Sequence, residues 1–227
     1  INILMLLKEL FANKAVQNFY ENNLSLLNIS KCTPDDLLNF GMTMRGIDSA
    51  REKVKNADAV YLKVKKTAEY CNANKIEIIT KWDKYFPKNL RKINDPPTYL
   101  FVKTINKKVL LEESNIAIVG TRSSTPLGSE ITGKVAEYFS NEFNIISGLA
   151  KGIDTAAHKG CLQNNKKKTI AVVTDVQNIT PIENRELADQ IINSGGAIIS
   201  ENEPNIKTKP FHFIQRNRIQ SGMSLGV

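Results

Sequence analysis

Three polar turns in this chain carry residue types suited to holding an anion. The first, Gly120-Thr121-Arg122, runs on through Ser123-Ser124-Thr125-Pro126-Leu127-Gly128 and lies between an apolar run and an amphipathic stretch. Backbone N–H groups at such a turn favour a phosphate, and the planar fork of Arg122 adds a bidentate contact; an ordinary turn is the equal alternative. It lacks both G-x-G-x-x-G and a terminal Gly-Lys-Ser/Thr, so it is neither a dinucleotide fingerprint nor a P-loop. The second turn, Ser147-Gly148-Leu149-Ala150-Lys151-Gly152-Ile153-Asp154, opens a helix in which Asp154 suits the N-cap. His158, one helical turn deeper, is expected to be a buried, hydrogen-bonded partner of this turn rather than a catalytic base. The third, Ile199-Ser200-Glu201, is followed by Arg216-Asn217-Arg218, whose guanidinium groups can meet phosphates and stack on bases; a solvated basic helix is the plainer alternative.

Composition bounds the chemistry. The chain has 227 residues, 41% hydrophobic and 24% charged, enough for one full domain and a smaller one with packed cores. The formal net charge of +8 attracts polyanions, although a Lys-rich composition has other origins. Cys32, Cys71 and Cys161 lie far apart and, with His158 and His212, match no zinc spacing, so reduced thiols and no metal are expected. No run of about eighteen apolar residues and no secretory leader is found, so a cytoplasmic protein without a membrane span is expected.

The elements that must position these turns change character along the chain. Residues 1–75 show helical spacing, as in Leu4, Leu7, Leu10 and Phe11, and predict a small all-α domain of the helix-hairpin-helix or SAM-like kind. Thr33-Pro34-Asp35-Asp36 is a helix start with Thr33 as N-cap, and Gly41 and Gly46 are expected at helix ends. Residues 76–111 are read as a connecting segment with strands at 76–79 and 99–102. From 112 to 227 apolar strands at 116–119, 145–147, 169–173 and 197–200 alternate with helices near 127–143, 154–162 and 183–192. Ile131, Val135, Ala136 and Phe139 are placed on one helix face. Strands apolar throughout imply a parallel sheet covered by helices on both faces. Leu225-Gly226-Val227 reads as the start of another strand, so this domain is expected to be truncated at its C-terminal end.

The order G-T-R, then S-G-L-A-K-G-I-D with A-A-H, then P-x-E-N-R-E-L from Pro181 to Leu187, then S-E, then R-N-R-I resembles the DNA-processing protein A (DprA/Smf) family. Tyr85-Phe86-Pro87 and Asp95-Pro96-Pro97 resemble the lead-in to that family's Rossmann-like domain. The resemblance implies a cytoplasmic, homodimeric recombination mediator that protects incoming single-stranded DNA during natural transformation and helps to load the RecA recombinase. It implies no catalytic reaction, no metal and no cofactor. Carried onto this sequence, Gly120, Thr121, Arg122, Ser147, Gly148, Lys151, Gly152 and Asp154 form a basic pocket for phosphates, with Arg216, Asn217 and Arg218 lining the same cleft.

Two departures stand out. Thr174 to Pro181 lacks the family's glycine-rich turn and has Thr180 in place of Tyr, and Leu127 stands where Tyr is common. A hydrolase of nucleotide derivatives with Glu201 as acid or base is the rival reading, but P-G-G-x-G-T-x-x-E is missing. A non-binding interaction scaffold is a third.

Overall fold

The computed structural model describes residues 2–22, 31–164 and 166–227, which divide into two units, residues 1–74 with 95–98 and residues 75–94 with 99–227. The first unit contains α1 (Asn2–Leu10), α2 (Asn13–Glu21), α3 (Pro34–Asn39), α4 (Met44–Val54) and α5 (Ala57–Ala73). Its core is built on Met5, Leu7, Val16, Phe19, Ile47 and Val64, with Phe19 set edge-on to both Phe11 and Phe40. Thr33 caps α3 as expected: its hydroxyl accepts from Asp36 N at 3.2 Å, and the Asp36 carboxylate accepts from Thr33 N at 2.8 Å. Gly41 follows α3 with φ of +84°, the left-handed helix stop that glycine permits. Gly46 instead sits in the first turn of α4, where its N–H is capped by Thr43. Residues 95–98 join this unit through Gln17, which donates to Pro96 O, and Thr98, which donates to Asn13.

The second unit is an α/β fold. Among the described residues one six-stranded sheet runs in the order β1-β2-β6-β5-β4-β3, with β1 Glu77–Thr80, β2 Tyr99–Thr104, β3 Asn115–Ala117, β4 Asn144–Ser147, β5 Thr169–Val172 and β6 Ala197–Ser200. The four strands β3 to β6 are parallel, in registers such as Ile116↔Ile145, Ile146↔Ile170 and Ala171↔Ile198. The sheet as a whole is mixed, because β2 pairs antiparallel with both β6 and β1. Residues 76–111, read from sequence as a connector, therefore supply two strands of this sheet. The all-parallel expectation fails there because the apolar runs at 76–79 and 99–102 carry no signal of direction.

Alternate residues of each central strand face two separate cores, the period-two consequence of pleating. Ile145 packs with Ala136, Ala157 and Cys161, from α7 (Pro126–Phe139) and α8 (Ile153–Gln163). Ile146 packs with Ile170, Val172 and Ile199 against Ile219 and Met223 of α10 (Pro210–Met223), and with Leu90 of α6 (Lys88–Arg91). α9 (Arg185–Asn193) buries Leu187, Ala188 and Ile191 beside α8. Helices thus cover both faces, as the uniformly apolar strands require.

The face expected on α7 is not the buried one. Ile131, Val135 and Phe139 are exposed, and the helix buries Ala136. The reason is close approach: a Cβ on Gly160 of α8 would lie 2.2 Å from Gly133 O, so small residues set the α7–α8 contact. Along the outer edge of β3, Leu225 N donates to Asn115 O and Ala117 N donates to Gly226 O.

Candidate nucleic-acid interface

A cleft of about 640 Å³ opens beyond the carboxyl ends of the parallel strands, where this class of sheet binds ligands. Its lining includes Gly120, Arg122, Asp154, Arg216, Asn217 and Arg218, all nominated from sequence. A recess of about 150 Å³ shares Arg122 and Arg216 with it and adds Gly148, Lys151, Thr180 and Pro181.

The first two turns interlock. Ile153 N donates to Thr121 O at 3.1 Å, and Gly152, at φ +76°, lies so close that a Cβ would meet Thr121 O at 2.3 Å. Gly120 packs against the Ile153 side chain, and Thr121 Oγ accepts from Ser123 N. Thr121 and Gly152 line neither cavity; they hold the turns together. Ser147 is likewise buried, its hydroxyl donating to Ile118 O at 2.6 Å and tying β4 to the end of β3.

Asp154 accepts from Gly148 N at 3.2 Å and Ala150 N at 3.3 Å, closing the second turn onto the start of α8. Leu149, at φ +58°, occupies a strained left-handed position inside that turn. Asn184 holds it there, donating from one amide to Leu149 O at 2.9 Å, to Ala150 O at 3.3 Å and to Thr155 Oγ at 2.9 Å. Asn184 lies within the P-x-E-N-R-E-L stretch, and it was not nominated because its role is support at a distance of more than thirty residues.

The cationic residues differ in environment. Arg122 is exposed, its guanidinium 5.3 Å from the centroid of the Phe213 ring. Arg216 is buried on α10 and donates through Nη1 to Val172 O, so the cluster at 216–218 is not simply a solvated basic helix. Burial works against its charge, the nearby Asp154 carboxylate supports it and Arg122 opposes it, leaving its pKa lowered. Arg218 is paired with Glu201 at 2.5 Å, and Lys151 with Glu183 at 2.7 Å. Asn217 is exposed at the cleft. Phe213, Ile214 and Gln220 also line it and were not nominated. Their spacing from Arg216 by three, two and four residues was the available signal, once a helix is assigned there.

His158 is fully buried, and its Nδ1 lies 2.7 Å from Thr169 Oγ at the start of β5. The expected partner was the Gly148–Asp154 turn; the helix instead carries the ring down the sheet to a different strand. Burial, then the charge of Arg216, pushes its pKa down to about 3, so it is neutral at pH 7. The glycine-free segment 174–181 is closed by Asp175, which accepts from Gln177 N at 2.8 Å, Asn178 Nδ2 at 3.0 Å and Asn205 N at 2.9 Å.

Comparison with known proteins matches residues 77–227 to the family model of the DNA recombination-mediator protein A. The DNA processing protein DprA of Streptococcus pneumoniae is 39% identical over 145 residues, 64% of this chain and 50% of that protein. Protein Smf of Borreliella burgdorferi is 30% identical over 205 residues, 89% of this chain and 62% of that protein. The chain therefore spans about half to three fifths of the length of these curated relatives. The X-ray structure of the pneumococcal protein matches with a TM-score of 0.75 at 30% identity, covering 99% of this chain and 75% of that one. A structure of DNA processing protein A from Helicobacter pylori, described for its single-stranded DNA binding mode, matches with a TM-score of 0.55 at 30% identity over 61% of this chain and 63% of that one. With the matched region taking in the whole cleft and its interlocked turns, the chain belongs to the DNA recombination-mediator protein A family.

Proposed function

We propose that this chain binds single-stranded DNA in the cleft at the carboxyl ends of β3, β4 and β5, without covalent chemistry on it. The observation that carries this reading is the exposed guanidinium of Arg122 on the Gly120–Arg122 turn, stacked on Phe213 at the mouth of an otherwise partly apolar cleft. Phosphates meet Arg122 and the backbone of the turns, while a base face can lie on the Phe213 ring, an arrangement only unpaired strands can satisfy. The Helicobacter relative's described single-stranded DNA binding mode supports it.

In this reading Gly120, Thr121, Gly148, Gly152 and Asp154 shape the phosphate pocket, and Lys151, Arg216, Asn217 and Arg218 supply its polar rim. The wider role is that of a cytoplasmic homodimer protecting incoming single strands and passing them to RecA. Among the described residues no helix is long and apolar enough to cross a membrane. A hydrolytic role for Glu201 is disfavoured because its carboxylate is engaged by Arg218.

A gel-shift series with a labelled single strand and a duplex of equal length, at several salt concentrations, tests the proposal. Preferential binding of the single strand that weakens linearly in log salt is expected. Equal or stronger binding of the duplex overturns it.

A further inference from the structure

Polar atoms buried in the wall of the cleft lack partners. Gln220 is 4% exposed and lines the cleft, and its Nε2 meets no hydrogen-bond partner among the described residues. One helical turn earlier Arg216, 8% exposed, leaves its Nε unpartnered although its Nη1 is engaged by Val172 O. Buried donors without partners are destabilising and few in folded proteins, so two of them lining one open cleft mark a place for a ligand's polar atoms.

The chemistry of this wall differs from that of the Arg122 turn. Asn217 and Gln220 stand three residues apart on α10, neighbouring positions on a helix surface, and both line the cleft. A carboxamide carries a donor beside an acceptor, which a phosphate, having acceptors alone, cannot match. Val119, Phe213 and Ile214 make the neighbouring wall apolar. A flat apolar body whose rim alternates donor and acceptor is a nucleobase.

Building on the single-strand reading, we propose that the cleft receives one unpaired base edge-on, with Gln220 and Asn217 pairing to that edge and adenine preferred. Adenine sets its amino donor between two ring-nitrogen acceptors, so an unpaired adenine offers a carboxamide two bidentate edges. Cytosine offers one such edge, and thymine has no amino group.

The test measures affinities of the 227-residue chain for dA, dC and dT oligonucleotides of equal length by fluorescence anisotropy, across salt concentrations, beside Gln220→Met and Asn217→Ala. Stacking within the free dA strand is the same for every protein, so the variant-to-parent change in the dA:dT affinity ratio removes it. In Gln220→Met the ratio is expected to fall by about fivefold or more with the salt slope unchanged, because the slope counts phosphates. Asn217→Ala, at an exposed position, should move the ratio the same way by less. An unchanged ratio in both folded variants, or uniform weakening with a shallower salt slope, overturns base-edge pairing while leaving single-strand binding standing. If Gln220→Met fails to fold, the ratio in Asn217→Ala decides. Failure of the parent chain to bind any of the strands removes both readings.

Discussion

The guanidinium of Arg122 lies 5.3 Å from the centroid of the Phe213 ring, joining a turn that follows β3 to the first turns of α10. The two residues are 91 positions apart, and the contact sets a cation beside an aromatic face at the mouth of the cleft.

Arg122→Ala is expected to weaken single-strand binding to a similar degree across sequences, because a phosphate contact positions a strand without reading it. The slope of log affinity against log salt should fall by about 0.7. Arg122→Lys should recover part of the affinity, since the ammonium keeps the charge and loses the planar fork. Phe213→Leu should weaken binding while leaving the slope in place. Unchanged affinity and slope in a folded Arg122→Ala protein would take this turn out of the interface.

Gly148 has no room for a side chain: a Cβ would lie 1.9 Å from Arg216 Nη1 and 2.6 Å from Asp154 Oδ2. Gly148→Ala should cost about 1–3 kcal/mol of stability through overpacking and should displace Arg216. In an Arg216→Ala background the same change should cost less, as contacting residues couple. Additive losses in urea unfolding would show that Arg216 is not what fills the space.

His158 gives a pH dependence of definite sign. The unfolded chain protonates this imidazole near pH 6.5, whereas the folded chain holds it neutral down to about pH 3. Between those values the unfolded form binds more protons, so stability falls as pH falls through this window, by up to about 1.4 kcal/mol per pH unit. His158→Gln should lack this contribution, and its deficit relative to the parent should shrink from pH 7 to pH 5 in urea titrations. Parallel pH profiles for the two proteins would refute the buried neutral state.

Glu201 is held by Arg218, and no hydrolysis of nucleotides is expected. Incubation with nucleoside monophosphates and triphosphates should release no base or phosphate beyond a Glu201→Ala control. Release that depends on Glu201 would restore the hydrolase reading.

Much of this architecture was legible because its causes are local. Ile145-Ile146 and Ile198-Ile199 are apolar on consecutive positions, which only a strand buried on both faces can use, and the structure gives each residue of a pair to a different face. Thr33 with Asp36 forms its capping box within four residues, and Gly152 marks its tight turn by being the residue type that such a turn demands. The exposed face of α7 was misjudged because spacing reports periodicity, while Gly133 and Gly160 decided which side of that period packs. The same limit applies to the cleft. Arg122, Arg216 and Arg218 are one residue type in sequence, yet one is exposed over Phe213, one is buried on Val172 O and one is tied to Glu201. Those differences depend on partners 17 to 91 residues away in the chain, brought together only when α10 crosses the ends of the strands. Spacing along a chain determines which elements form and which faces they offer; the surroundings of each charge, and so its chemistry, are set by long-range packing.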